Sequence, residues 1–360
     1  MTAPQRRVVC AVTGLLLVVG LPGAAQAAEK SVNMGIPRAD QRSFQSTFSD
    51  VNDFFPHQVT IHPGDTVRFV PSAFHTVDLP GRRTRKLPIV TPLAQPIANS
   101  VDAAGAPFWF NGQRNIGFNP ALLRSGFGKR FRYTGGRAVL SGLPLARRPQ
   151  PMTVRFTRRG TFRYFCDVHL GMTGIVRVVR SGRRIPSAAA DRATLRRQVA
   201  TTLATAKALA ASTPATPPAT VDAGLQGRGG VSFFGFKPNA MTVPTGTTVT
   251  FRMAARSEVH TATAGPGDPE NQPTSYLGQV ATLQGPVFDP RSVYPSEPPG
   301  ALGVLVPTFH GNGFWGSGAL DEDPTTPTVP PTSAVRFGAP GTYTFFCMIH
   351  PIMKVVVTVQ

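Results

Sequence analysis

Hydrophobic and polar residues alternate in short runs along most of this chain, and Gly, Pro and Asp residues separate the runs. In the first half, PHQVTIHPGDTVRFVPSAFHTV (56–77) and MTVRFTRRGTFRYFCDVH (152–169) show the pattern. A period of two places successive side chains on opposite faces of a strand, so these runs predict antiparallel β-strands. Short strands with turns between them predict an all-β fold of packed sheets, a β-sandwich.

The pattern occurs a second time in the second half. PNAMTVPTGTTVTFRMAARSEVHTAT (238–263) repeats the earlier stretch with three extra residues, and AVRFGAPGTYTFFCMIH (334–350) repeats the later one. Two copies in 360 residues predict two tandem sandwich domains. We place the first domain at 28–185 and the second at 223–360.

Residues 186–222 differ in composition from both copies and predict a connecting segment. Leu195, Val199 and Leu203 follow at steps of four, and Ala206 and Leu209 extend this apolar stripe. The spacing predicts an amphipathic helix of about 22 residues, roughly 33 Å long. STPATPPAT (212–220) then continues as a stiff, Pro-rich linker. We expect the stripe to pack on a domain surface or in the groove between the domains.

The N-terminus has the pattern of a secretory signal peptide, which we place at 1–27. Arg6 and Arg7 precede the apolar run VVCAVTGLLLVVGL, and Ala25-Gln26-Ala27 supplies a small-x-small cleavage site. No later segment approaches 18 uninterrupted apolar residues, so we expect no transmembrane segment in the mature chain. The protein is predicted to be exported to the periplasm, the cell envelope or the medium, and the paired arginines leave Sec and twin-arginine export open.

The positive charge is concentrated in the first half. Residues 28–185 hold 24 Lys and Arg against 8 Asp and Glu, whereas residues 186–360 hold 11 against 10, so the two halves carry +16 and +1 of the net charge of +19. Export argues against nucleic acid as a partner. The excess predicts either docking to an acidic redox partner or an anionic envelope surface, or a solvated face with no partner.

Two cysteines remain after cleavage of the signal peptide, Cys166 and Cys347. A single disulfide between them is one interpretation, since exported proteins form disulfides. It leaves unexplained that His follows each cysteine at +3 and Met at +6, in two motifs that lie 181 residues apart. A Cys-x-x-His-x-x-Met arrangement that occurs twice indicates metal ligands instead.

Two imidazoles, one thiolate and one distant thioether are the ligand set of mononuclear blue copper. Thiolate sulfur suits Cu(I), imidazole suits both oxidation states, and a weak axial Met does not impose the geometry that Cu(II) prefers. The second histidine comes from an upstream strand, His75 or His260, 91 and 87 residues before the cysteines. The predicted sets are His75, Cys166, His169 and Met172, and His260, Cys347, His350 and Met353.

With His, Cys, His and Met in this order twice, both halves resemble the cupredoxins, the plastocyanin/azurin family, and the ligand-loop spacing is closest to that of amicyanin. The resemblance covers the strands at the start and end of each domain and leaves out the inserts at about 80–150 and 265–330. It implies two tandem Greek-key β-sandwiches, two type 1 copper ions, and electron transfer through a loop histidine exposed in an apolar patch. Leu170-Gly171 and Pro351-Ile352 occupy the positions of that patch.

The remaining residues leave three functions open. An exported electron carrier fits best. A copper capture or delivery protein is the first alternative, although the chain has no Met- and His-rich run. A cupredoxin-based oxidoreductase is the second, but no His-x-His pair occurs and no histidine adjoins either cysteine, so no ligands for a catalytic copper are evident. His57, His62 and His310 are interpreted as turn, surface or insert residues.

Overall fold

The computed structural model describes residues 27–82, 86–281, 285–323 and 329–360. The predicted signal peptide, apart from Ala27, and residues 83–85 lie outside these residues. Among the residues described, no helix is both long enough and apolar enough to cross a membrane.

The described part of the first half contains short strands, the short helix α1 (Gln41–Gln45) and a 3-10 turn (Pro120–Leu122). Its strands are β1 (Glu29–Met34), β2 (Ser49–Val51), β3 (Phe54–Phe55), β4 (Gln58–Ile61), β5 (Thr66–Pro71), β6 (Asp78–Leu79), β7 (Val90–Pro96), β8 (Arg114–Phe118), β9 (Arg130–Tyr133), β10 (Val139–Leu140), β11 (Met152–Phe156), β12 (Gly160–Phe165) and β13 (Thr173–Val178).

A long helix, α2 (Ala188–Ala211), separates the halves. The second half adds α3 (Tyr276–Val280) and α4 (Pro290–Val293) to its strands. These are β14 (Thr220–Gln226), β15 (Val231–Lys237), β16 (Ala240–Val243), β17 (Thr248–Met253), β18 (Val259–His260), β19 (Thr263–Ala264), β20 (Gly303–Leu305), β21 (Trp315–Gly316), β22 (Leu320–Asp321), β23 (Thr332–Phe337), β24 (Gly341–Phe346) and β25 (Lys354–Val359).

Each half is a sandwich of two sheets with the same strand order. The first half has the sheets β3-β1-β5-β11-β9 and β10-β6-β12-β13-β4, and the second has β15-β14-β17-β23-β20 and β16-β25-β24-β19-β21. Alternate residues of these strands form two separate hydrophobic cores, one containing Phe69 and Tyr164 and the other Phe251 and Phe345. The all-β fold of sandwiches predicted from the alternation is confirmed.

One strand of the first half belongs to the sheet of the second. Strand β2 pairs antiparallel with β15, so that Val51 lies opposite Val231 and Ser49 opposite Phe233. The Asn52 N–H continues this pairing by donating to the Gly230 carbonyl at 2.8 Å. A continuous sheet therefore joins the two sandwiches, which the alternation pattern did not predict.

Helix α2 covers this junction. Ser187 caps its N-terminus by accepting from the Ala190 N–H. Val199 and Ala206 of its apolar stripe are buried in a cluster with Val51 of β2 and Val231 of β15. The helix therefore packs against strands of both halves, at the place where β2 crosses over.

The two inserts pack against each other. Phe108 of the first insert meets Phe314 of the second edge to face at 5.9 Å, in a buried cluster with Leu277. The Trp109 indole N–H donates to the Pro295 carbonyl at 2.8 Å. The inserts therefore form a second contact between the halves.

His310 also joins the two inserts, through contacts with a carboxylate of each. His310 has φ +50, and its Nδ1 lies 2.9 Å from Asp102 of the first insert while its Nε2 lies 2.7 Å from Glu297 of the second. The Ala103 N–H also donates to the His310 carbonyl at 3.0 Å. Burial lowers the pKa of His310, but the hydrogen bonds to Glu297 and Asp102 outweigh this and raise it above its ordinary value.

Candidate metal centres

The first sandwich brings together a cluster from two loops at one end of its sheets. His75 lies between β5 and β6, Cys166 follows β12 directly, and His169 and Met172 precede β13. The two Nδ1 atoms are 2.9 Å apart, and the Cys166 Sγ is 3.8 Å from Nδ1 of His169. His75, Cys166, His169 and Met172 are all buried.

The second sandwich repeats the cluster. His260 ends β18, Cys347 follows β24, and His350 and Met353 precede β25. Nδ1 of His260 is 3.2 Å from Nδ1 of His350, and the Cys347 Sγ is 3.8 and 3.9 Å from these two nitrogens. His260, Cys347 and Met353 are buried, and His350 is half-buried.

These spacings fit one ion in each cluster. Within each cluster the two ring nitrogens and the sulfur lie within 4.8 Å of one another. Protein ligands bind a divalent transition metal at about 2.0–2.1 Å through nitrogen and about 2.3 Å through sulfur, which lets two nitrogens on one ion be up to about 4.2 Å apart. The cysteines are free and belong to separate clusters, so the alternative of a Cys166–Cys347 disulfide is not observed.

Burial sets the protonation of these groups in the absence of an ion. It lowers the pKa of His75, His169 and His260 and brings the pKa of His350 to about 4, so the imidazoles are neutral at neutral pH and have a free lone pair. Burial also raises the pKa values of both thiols. A thiolate at either position therefore depends on a bound cation.

A threonine after each upstream histidine ties the two loops together. In the first cluster the Thr76 N–H donates to the Cys166 Sγ at 3.3 Å, and the Asp167 N–H donates to the Thr76 hydroxyl at 2.7 Å. In the second cluster the Thr261 N–H donates to the Cys347 Sγ at 3.4 Å, and the Met348 N–H donates to the Thr261 hydroxyl at 2.7 Å. Thr76 and Thr261 were not predicted from the sequence, although His-Thr recurs in both copies at these positions.

A glycine makes room for each upstream imidazole. Gly35 (φ +92) follows β1, and a Cβ there would lie 2.8 Å from Nε2 of His75. Gly224 (φ +69) holds the equivalent place in β14, where a Cβ would approach Nε2 of His260 even more closely. Both positions therefore require glycine for the backbone conformation and for space.

The two loop histidines have different surroundings, and the exposure expected from the family resemblance is wrong for His169. This residue is 8% exposed, because Glu258 of the second sandwich lies against it, with Oε2 3.7 Å from Nε2. Glu258 lies two residues before His260, so this contact brings the segment that carries a ligand of the second cluster next to the first cluster. His350 itself stacks on Phe234 at 4.4 Å, beside Ile352, which is 40% exposed.

The other histidines lie apart from both clusters. His57 pairs with Asp53 at 2.9 Å, and His62 lies 2.8 Å from the Arg183 carbonyl. His57, His62 and His310 therefore belong to neither cluster. Within the described ranges, the groups of His, Cys, Asp and Glu that could hold a metal ion are the two clusters above.

No family model matches this chain, and neither does any curated protein. Solved structures do match parts of it. A mutant plastocyanin of fern is 21% identical, covering 39% of this chain and 99% of its own, with a TM-score of 0.21. A purple cupredoxin from Nitrosopumilus maritimus is 16% identical over 39% and 98%, with a TM-score of 0.20. Amicyanin from Paracoccus versutus is 16% identical over 40% and 85%, with a TM-score of 0.22.

The described part of this chain contains two sandwiches of one strand order. In each, two His and one Cys converge at one end, and a buried Met follows them. The chain is thus similar to the cupredoxins in fold, as its two ligand motifs predicted.

Proposed function

We propose that this chain is an exported electron-transfer protein with two type 1 copper sites, held by His75, Cys166, His169 and Met172 and by His260, Cys347, His350 and Met353. One observation carries the proposal: the donor atoms of two His and one Cys converge in the same way in both sandwiches. Copper in such sites supplies one-electron exchange between Cu(I) and Cu(II).

The residues of the chain would keep each site rigid and dry. The strands that lead to Cys166 and Cys347 are fixed in buried cores, which exclude water. The N–H groups of Thr76 and Thr261 donate to the sulfurs and restrain them, and such bonds around a ligand tune the affinity and the reduction potential of the metal. Ligands that do not move between oxidation states favour fast electron exchange.

Copper titration of the purified mature protein tests the proposal. We expect two copper ions per chain, a strong visible thiolate-to-copper absorption and an EPR spectrum of two type 1 centres. Cys166→Ser and Cys347→Ser should each remove one copper and the corresponding part of the absorption, and the double variant should remove all of it. Protein that binds Cu(II) without visible colour would falsify the proposal.

The two alternatives predict different results in the same preparation. A capture or delivery protein should release copper quickly to a chelator and exchange electrons slowly. The buried ligands favour the carrier, because a partner or chelator reaches only the half-buried His350 directly. An oxidoreductase should reduce nitrite or oxygen in steady state, and turnover by the copper-loaded protein would favour the enzyme over the carrier.

We also propose that the first sandwich docks an acidic redox partner. Arg68, Arg130, Arg132 and Arg155 are exposed on the outer face of three neighbouring strands, β5, β11 and β9. Pairing places Arg155 opposite Arg132 and Thr153 opposite both Arg68 and Arg130, which concentrates positive charge on this face. Reduction by an acidic partner should slow steeply as ionic strength rises. A rate that does not depend on salt would count against this docking.

A further inference from the structure

The first cluster is in contact with a buried acidic residue of the second sandwich. Glu258 is 6% exposed, and its Oε2 is 3.7 Å from Nε2 of His169, on the side of the ring that faces away from Cys166. This distance is longer than a direct hydrogen bond, so the two groups are close neighbours without one. The second sandwich therefore supplies a carboxyl group to this side of the ring.

Asn52 fixes the position of Glu258. Its Nδ2 donates to Glu258 Oε1 at 2.7 Å and lies 3.1 Å from the hydroxyl oxygens of Ser232 and Ser257. Asn52 directly follows β2, the strand that enters the sheet of the second sandwich. The carboxyl group is thus held by the same junction that joins the two halves.

The repeat shows that this arrangement exists in only one of the two sites. Alignment on the upstream histidines, His75 and His260, places Ala73 where the second copy has Glu258. Alignment on Pro56 and Pro238 places Asn52 where the second copy has Phe234. Phe234 stacks on His350 in the second site, so one loop histidine faces a carboxyl group and the other faces an aromatic ring.

We infer that Glu258 is a positioning residue of the first metal site, which is therefore complete only when the two sandwiches are docked. A carboxyl group that accepts a hydrogen bond from the non-ligating nitrogen of a ligand histidine fixes the tautomer and ring orientation and makes the ligand more basic. A slightly closer approach of Oε2 to Nε2 of His169 would give Glu258 this role. Glu258 precedes His260 by two residues, so one short segment touches a ligand of the first site and carries a ligand of the second. This inference rests on the copper sites proposed above.

The test measures each site separately. In a Cys347→Ser background, which leaves the first site, Glu258→Ala should weaken Cu(II) binding by about ten-fold, the lower end of the range for residues behind metal ligands. If Cu(I) binding changes less than Cu(II) binding, the reduction potential rises, by about 59 mV for each ten-fold difference. Glu258→Gln keeps an oxygen acceptor and should restore most of the affinity. In a Cys166→Ser background, Glu258→Ala should leave the potential of the second site unchanged, and that site then reports correct folding.

His310→Ala is the matched control, because it removes one contact between the inserts without touching His169, while the pairing of β2 with β15 keeps the two sandwiches docked. If Glu258 acts on His169 directly, the control leaves the potential of the first site at the wild-type value. Equal shifts from His310→Ala and Glu258→Ala, or no shift from Glu258→Ala, would overturn the inference while leaving two blue sites in the wild type. Wild-type protein without type 1 spectra would instead remove the proposed function, so the two failures are distinguishable.

Discussion

Replacement of Gly224 by Ala should disturb the second metal site through one added methyl group. The residue has φ +69, where a residue with a Cβ is strained by about 1–2 kcal/mol. The new Cβ would also meet Nε2 and Cδ2 of His260, a fully buried ring, so the ring or the strand must shift. Overpacking of this kind costs about 1–3 kcal/mol. We therefore expect a loss of about 2–5 kcal/mol in the free energy of unfolding, together with weaker copper binding at the second site.

Gly229 provides the control for this prediction. It has nearly the same backbone conformation, φ +68, but a Cβ there would meet nothing within 4 Å. Gly229→Ala should therefore show only the backbone cost of about 1–2 kcal/mol and normal copper binding. The assays are urea unfolding of the metal-free protein and Cu(II) titration in the Cys166→Ser background. If the two variants lose the same stability and bind copper equally, close packing on His260 is not the reason for glycine at position 224.

Two further predictions concern buried hydrogen bonds and pH. Thr261→Val should cost about 1–3 kcal/mol, because the Met348 N–H loses its buried acceptor. Urea unfolding measures this cost, and an unchanged midpoint would contradict it. His310→Ala should cost about 2 kcal/mol near pH 6, where the wild-type ring is charged between Glu297 and Asp102. Because the folded pKa of His310 is raised, the wild-type advantage is complete below the unfolded pKa of about 6.5 and is lost as pH rises through the folded value. If the difference in the free energy of unfolding between wild type and variant stays constant from pH 6 to 9, a charged His310 does not stabilise this contact.

The ligand clusters were predictable because their signal is local in sequence. Cys166, His169 and Met172 share one loop, and the order His, Cys, His and Met recurs with similar separations in both copies. The strand pattern was predictable for the same reason, since a period of two is visible within five or six residues. The position of His75 and His260 within the clusters then follows from the fold that the resemblance implied.

The contacts between the halves were not predictable from these patterns. Nothing in the alternation indicated that Ser49 to Val51 form a strand or that they pair with Val231 to Phe233. For the same reason the exposure expected for His169 was wrong, since Glu258 reaches it from another domain. The inserts gave no regular period, and their packing depends on aromatic contacts between segments about 200 residues apart, such as Phe108 with Phe314.

Strand β2 has a consequence for the order in which the chain matures. Asn52, which directly follows β2, is separated by 180 residues from Ser232 of the partner strand β15. A growing chain therefore contains β2 long before β15 has been made. During synthesis that edge is open to pairing with other chains until β15 arrives, and N-terminal domains otherwise fold first. Expression of residues 28–185 alone would leave the edge open permanently. The two copies are repeats in sequence, but as folding units they depend on each other.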